Sequence, residues 1–271
     1  MKQFAPPQIT GRTRVMFIMG DPIGHVVGTA VLNAAWQEAG RDLVTVPLHV
    51  LAPDLPHMLD SLRKAPNVAG TGITIPHKIA ALSLVDHVTE AARLAGAVNF
   101  IRRNPDGSLT GHNIDGAGFL AGLTDHGIDP VGRSVQIAGA GGVARPIAFA
   151  LAAAGAHRLT IRNRDKTKAE ALLADIRASG VAPGCTLETA LGAPADLLVN
   201  ATSLGMKETD PMPFDLADIA TGAIVAEVVM TPAETPLLAA ARARGCTIVP
   251  GRAMMDPQAA LVAAFLDGTP A

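Results

Sequence analysis

Val135-Gln136-Ile137-Ala138 is an apolar run that meets Gly139-Ala140-Gly141-Gly142-Val143-Ala144-Arg145. The order reads as a strand, a glycine turn and the start of a helix. The pattern is G-x-G-x-x-A, at Gly139, Gly141 and Ala144. The first glycine permits the sharp turn, the second lets a pyrophosphate approach the backbone, and the small third residue lets helix and strand pack closely. The helix start then offers free N–H groups and a positive dipole end. The group that donor set suits is a dinucleotide; the alternative is a tight turn that binds nothing. The next strand ends at Arg162-Asn163-Arg164-Asp165. Guanidinium groups there can hold a 2′-phosphate bidentately, which favours NADP over NAD. Asp165 leaves a second possibility, a carboxylate on the ribose. A solvated helix entrance is the third.

Hydride transfer to a carbonyl needs a group to exchange the alcohol proton. Lys78 follows Ile73-Thr74-Ile75-Pro76-His77, which puts an amine beside a strand end. Asp115 lies in Gly111-His112-Asn113-Ile114-Asp115-Gly116, read as a polar turn between the two halves of the chain. A lysine oriented by an aspartate can move such a proton. By residue type alone, each is equally a surface charge. His25, His77 and His112 border the same segments and are read as structural. Cys185 and Cys246 sit in no electropositive motif and are read as inert.

Composition removes whole classes of function. Among 271 residues, 22 basic and 24 acidic side chains give a net charge of −2. No basic stripe recommends nucleic acid. Aromatic residues are 3% of the chain and tyrosine is absent, which excludes a catalytic phenol and argues against base stacking. Two cysteines make neither a disulfide framework nor a CxxC metal site, and the eight histidines include no HExxH pair. No metal is expected. The opening residues lack the apolar run of a signal peptide, and no uncharged stretch of ~20 apolar residues occurs. A cytoplasmic protein, with no membrane partner, is the expectation.

These groups must be carried by alternating strands and helices, an α/β pattern. Strands are expected at Arg14–Met19, Leu43–Val50, Gly72–Ile75, Ala97–Arg102, Ser108–Gly111, Ser134–Ile137, Arg158–Ile161, Leu197–Asn200 and Ala223–Ala226. Helices are expected at Thr29–Gly40, Leu55–Lys64, Ala144–Ala154, Lys166–Ala178, Leu237–Gly245 and Met255–Phe265, with another opening at Pro76 and holding Lys78 in its first turn. Asn104-Pro105-Asp106-Gly107 has hairpin chemistry. Trp36 reads as core.

In this order and spacing, the segments resemble the shikimate dehydrogenase family. The resemblance spans nearly the whole chain. It rests on Gly20-Asp21-Pro22-Ile23-Gly24-His25, Ile73–Lys78, Gly96-Ala97-Val98-Asn99, Asn113–Gly116, Gly139–Arg145, Asn163-Arg164, Asn200–Met206, Thr235–Leu238 and Gly251–Gln258. It implies an N-terminal α/β substrate-binding domain, residues 1–115 completed by 249–271, and a Rossmann-type NADP domain, residues 116–248. A C-terminal helix would return to the first domain. The implied reaction is reversible reduction of a ring ketone by NADPH, in aromatic amino acid biosynthesis. Lys78 and Asp115 would be the catalytic pair. Asn99 and Gln258 would hold ring hydroxyls, with Thr74 close by. Gly139, Ala140, Gly141, Gly142, Val143 and Ala144 would bind pyrophosphate, and Asn163 and Arg164 the adenosine phosphate. Met206 and Met255 would lie near the nicotinamide, and Thr202 would also belong to the cofactor site.

The departures share a direction. Where the family has S-x-S-P after the histidine, this chain has Val26-Val27-Gly28-Thr29, so Val26 and Gly28 replace two carboxylate-binding serines. Met230 stands where a family tyrosine reaches the same carboxylate. Ile114 replaces the threonine before the aspartate, and Gly72 replaces the asparagine before the T-x-P strand end. Each lost hydrogen bond to a charged ligand costs roughly 1.5–3 kcal/mol. Arg252 is a candidate replacement anchor. The expected function is therefore NADP-dependent oxidoreduction of a cyclic polyol or hydroxy compound other than shikimate. The alternatives are a true shikimate or quinate dehydrogenase with an unusual clamp, and a non-catalytic NADP-binding homologue. The only partner expected is a small-molecule substrate, in a monomer or homodimer.

Overall fold

The computed structural model describes residues 8–24, 26, 28–190 and 194–268; His25 lies outside them. Met1–Ile114 with Gln258–Ala271 forms one compact unit, and Asp115–Pro257 forms the other.

The first unit opens with β1 (Arg14–Gly20), α1 (Gly28–Glu38), β2 (Leu43–His49), α2 (Leu55–Arg63) and β3 (Val68–Ile73). Leu32 and Trp36, four residues apart on α1, are buried, as are Leu55, Leu59 and Leu62 on α2. These spacings put one apolar stripe of each helix on the sheet. The Trp36 indole N–H donates to Thr45 Oγ1 at 2.8 Å, so the core tryptophan is satisfied. A two-residue strand β4 (His87–Val88), the short helix α3 (Glu90–Ala95), β5 (Phe100–Arg103) and β6 (Leu109–His112) follow. β5 and β6 pair antiparallel across the expected turn, where Asp106 accepts the Ser108 N–H and Gly107 takes φ +90°. The sheet order is β2-β1-β3-β5-β6-β4.

The second unit contains α4 (Asp115–Asp125), β7 (Ser134–Ala138), α5 (Ala144–Ala153), β8 (Arg158–Arg162), α6 (Lys166–Ser179), β9 (Thr186–Glu188), β10 (Leu197–Asn200), β11 (Ile224–Glu227), α7 (Pro236–Ala243) and β12 (Thr247–Val249). All its strand pairs are parallel, in the order β12-β11-β10-β7-β8-β9. That is the doubly wound dinucleotide-binding order, and strand progression reverses between β7 and β10. β10 and β11, buried along their whole length, open with continuous apolar runs rather than alternating ones. The final helix, α8 (Gln258–Leu266), packs on α1 and β5 in the first unit.

Several expectations shift. The third strand runs Val68–Ile73 rather than Gly72–Ile75; Gly70 and Gly72 dilute its apolar signal, yet Gly70 must leave room for the Ile101 carbonyl. Pro76 opens no helix: residues 75–79 form a turn, followed by a 3-10 segment, Ala80–Ser83. Asp115 begins α4 rather than sitting in a turn. Residues 249–257 pack with the second unit, because Gly251 lies directly under the Val229 carbonyl and Ala253 against Gly122. The return to the first unit starts only at Gln258.

Candidate active site

In the second unit the glycine turn leaves β7 at the point where strand order reverses. Gly139 takes φ +115°, and a Cβ there would stand 2.8 Å from the Ala201 carbonyl oxygen. Only glycine fits. Its N–H donates to the Arg162 carbonyl at 2.7 Å, which ties the turn to the end of β8. Cβ atoms on Gly141 and Gly142 would meet nothing within 4 Å, so the outer face of the turn is open for close approach. Ala144 is fully buried beneath it, the close-packing position of the motif.

A groove of about 650 Å³ runs over this turn. Gly139, Ala140, Gly141, Asn163, Arg164 and Thr202 line it, together with Ala138, Arg162, Asp165, Ser203, Leu204, Pro211, Pro213 and Lys168. Six expected cofactor residues thus meet in one cavity. Gly142, Val143 and Ala144 continue the turn behind it, while Met206 and Met255 lie outside the lining. The three cations at the β8 end differ in their commitments. Arg162 is ion-paired to Asp218 at 2.8 Å. Arg164, just before the α6 cap, and Lys168, in the first turn of α6, are both exposed on the groove. Lys168 was missed; its signal was the four-residue spacing from Arg164 across the start of α6. Asp165 caps α6, accepting the Thr167 N–H at 3.1 Å, and its carbonyl accepts the Asn163 amide at 2.8 Å. Its carboxylate is thereby engaged in ending the loop, which weakens the case for a ribose acceptor. An uncommitted cation pair beside an open glycine turn fits a 2′-phosphorylated dinucleotide.

In the first unit, the segment holding Thr74 and Lys78 is strapped by several backbone hydrogen bonds. Thr74 N–H donates to the Met19 carbonyl at 2.9 Å, His77 N–H to Thr74 at 2.9 Å, and Val98 N–H to the Lys78 carbonyl at 2.8 Å. His77 is 1% exposed, and its Nε2 is bonded to the Val50 carbonyl at 2.7 Å, a structural role as expected. Asn99 is buried; its carbonyl accepts the Ile73 N–H at 2.7 Å and its Oδ1 accepts the Ile114 N–H at 3.0 Å. Thr74, Lys78 and Asn99 are thus brought together at one end of β3. Gln258 begins α8, half-buried. Asp115, 6% exposed, opens α4 in the second unit, one residue after Ile114.

Val26 packs with Ile18, Ile23, Phe100 and Ile114 in an apolar cluster. A Cβ on Gly28 would lie 3.4 Å from Ile18 Cδ1. These positions offer no hydroxyl. Met230 lies in the second unit, exposed. Arg252 is also in that unit, exposed and ion-paired to Asp256 at 3.1 Å. His112 is buried, bonded to Thr89 Oγ1 through Nδ1 at 2.7 Å, and stacked on Phe265. Burial, then the nearby Arg102 charge, lowers its pKa to about 4, so it stays neutral at pH 7. Among the described residues no cluster of His, Cys, Asp or Glu could hold a metal, and no helix is long and apolar enough to cross a membrane.

Residues 18–101 match the family model for the shikimate dehydrogenase substrate binding domain. A shikimate dehydrogenase (NADP(+)) of Rubrobacter xylanophilus is 40% identical over 254 residues, covering 92% of this chain and 89% of that protein. The chain belongs to the shikimate dehydrogenase family. It is an oxidoreductase of that family, with the family's α/β fold. Two solved structures are similar to it over nearly its whole length. Ligand-free 5-ketofructose reductase of a Gluconobacter strain superposes with a TM-score of 0.87 at 34% identity, covering 96% of this chain and 94% of that one. Listeria monocytogenes shikimate 5-dehydrogenase, solved with shikimate and NAD, superposes with a TM-score of 0.89 at 29% identity, covering 98% and 95%.

Proposed function

We propose that this member of the shikimate dehydrogenase family is an NADP-dependent oxidoreductase whose preferred substrate is a cyclic polyol or its ketone lacking a carboxylate. The observation that carries the reading is the apolar replacement of the carboxylate anchors at Val26, Gly28 and Met230, while Thr74, Asn99, Lys78 and Gln258 are retained. A charged carboxylate placed against Val26 and Ile18 would lose its hydration without gaining donors. A neutral polyhydroxy ring would not meet that cost. The likeness to a reductase named for 5-ketofructose, a keto sugar, is in keeping with this choice.

NADP would lie in the groove over Gly139–Gly141, its 2′-phosphate between Arg164 and Lys168 with Asn163 alongside. When bound, it supplies the hydride for carbonyl reduction. Lys78, as an ammonium, donates the proton to the carbonyl oxygen; as an amine, it takes that proton back in alcohol oxidation. Asp115 orients the amine and balances its charge. Asn99 and Gln258 hold ring hydroxyls and fix which carbon faces the nicotinamide, with Thr74 beside them.

The second reading, a shikimate or quinate dehydrogenase, draws on the 40% identity to a shikimate dehydrogenase. Steady-state kinetics with shikimate, quinate, uncharged cyclic polyols and keto sugars, each with NADP and NAD, separates the two. The expected outcome is a higher kcat/KM for an uncharged substrate; efficient shikimate turnover at a micromolar KM sinks the first reading. Lys78→Ala should lower kcat by about 10²–10⁴-fold with NADP affinity unchanged. Retained turnover in that variant removes the lysine from proton transfer.

A further inference from the structure

Glu227 is an acidic residue at the end of a strand that is otherwise apolar, and it is 1% exposed. It lies opposite Asn200 in the β10–β11 register. Its Oε2 accepts the Thr235 hydroxyl at 2.9 Å, while Oε1 is buried with no hydrogen-bond partner. Burial pushes its pKa up, and Thr235 and Asn200 draw it back only in part. A half-satisfied buried carboxyl is a costly choice for a strand end that apolar packing could fill. Capping does not require it either, since Thr235 already caps α7 by accepting the Leu238 N–H at 3.3 Å.

What the carboxyl does hold is the loop after β10. On one side it fixes Thr235, whose methyl group lies 3.1 Å from the Cβ position of Gly205, a residue at φ +101°. On the other side stands Asn200, which accepts the Thr202 hydroxyl at 2.6 Å and donates to the Leu204 carbonyl at 2.9 Å. Thr202 Oγ1 in turn accepts the Leu204 N–H at 3.0 Å. Both ends of the 201–205 loop therefore converge on Glu227, and Thr202, Ser203 and Leu204 of that loop form one wall of the groove.

We propose that Glu227 is a positioning residue for the bound dinucleotide: through Thr235 and Asn200 it holds the 201–205 loop in the shape that walls the groove. This rests on the reading of that groove as the NADP site. Glu227 itself lines no part of it and acts only through its two neighbours.

The test compares Glu227→Leu, of similar volume, with Glu227→Gln, which can still accept from Thr235. NADP affinity is measured by titration and both Michaelis constants by steady-state kinetics. Glu227→Leu should raise Kd and KM for NADP about tenfold. The KM of the second substrate should stay within about twofold, and Glu227→Gln should recover most of the loss. Should Glu227→Leu fail to fold, Thr235→Val removes the donor yet keeps a methyl against Gly205, and the same NADP-selective loss is expected. Unchanged NADP affinity in the folded variant overturns the proposal alone. Wild-type protein that binds no dinucleotide overturns the reading of the groove, and this proposal with it.

Discussion

Gly72 and Phe100 face each other across β3 and β5, and each explains the other. A Cβ on Gly72 would lie 3.3 Å from the Phe100 ring and 3.3 Å from Ile18 Cγ1. The ring occupies the space that a polar side chain at 72 would need. Gly72→Asn alone should therefore destabilise the protein by about 1–3 kcal/mol through overpacking. Phe100→Thr alone should cost roughly 2–3 kcal/mol through the void it leaves. The double variant should lose clearly less than the sum, because the two changes share one volume. Urea unfolding of the three variants measures this, and strict additivity would show that the residues do not compete for space. The glycine was visible in the sequence as a departure from the family pattern. Its partner was not, because twenty-seven positions separate them and only strand pairing makes them neighbours.

α8 is fastened to the sheet by a stack. Phe265 lies against the His112 ring, with centroids 4.8 Å apart, and the Arg102 guanidinium lies 5.3 Å from the Phe265 ring centroid while donating to the Phe265 carbonyl. His112 titrates at about 4 in the folded protein against an ordinary 6.5. Below pH 6.5 the unfolded chain takes up a proton that the folded one refuses. This group therefore leaves stability intact above that pH and erodes it as pH falls toward 4, by on the order of 3 kcal/mol in total. Unfolding free energies at pH 7 and pH 5 should show the loss, and His112→Phe should shrink it. An equal loss in that variant would place the acid sensitivity elsewhere. At this level the chain was legible where helices carry a regular apolar stripe, as on α1 and α2. It was illegible where glycines interrupt a buried strand, as on β3, and where a helix starts on an acid without a preceding cap signal, as at Asp115.

Across the whole molecule, the second sheet's order decides where a nucleotide can lie. Parallel strands that wind outward in both directions from β7 and β10 leave a crevice at their carboxyl ends, and the glycine turn and the 201–205 loop flank it. Charge then selects the ligand. With Arg162 held by Asp218, Arg164 and Lys168 are left for the 2′-phosphate. Replacing both by alanine should weaken NADP binding by at least about tenfold and leave NAD nearly unchanged, since only NADP presents that phosphate. Calorimetric titration with both nucleotides checks this; a parallel loss of NAD affinity would assign the two cations to the shared pyrophosphate instead.

The glycine turn, the G-x-x-M closing segment, the α/β alternation and the missing serines could all be read along the chain, because each depends on residues a few positions apart. Chain-local geometry is enough to define a tight turn or a helix start. Two matters needed the folded protein: that Phe100 bears on the space at Gly72, and that Glu227 bears on the loop walling the groove. Each arises from which strands lie side by side and which volumes are already filled. Such contacts are set by packing over long sequence separations, and no local pattern of residues encodes them.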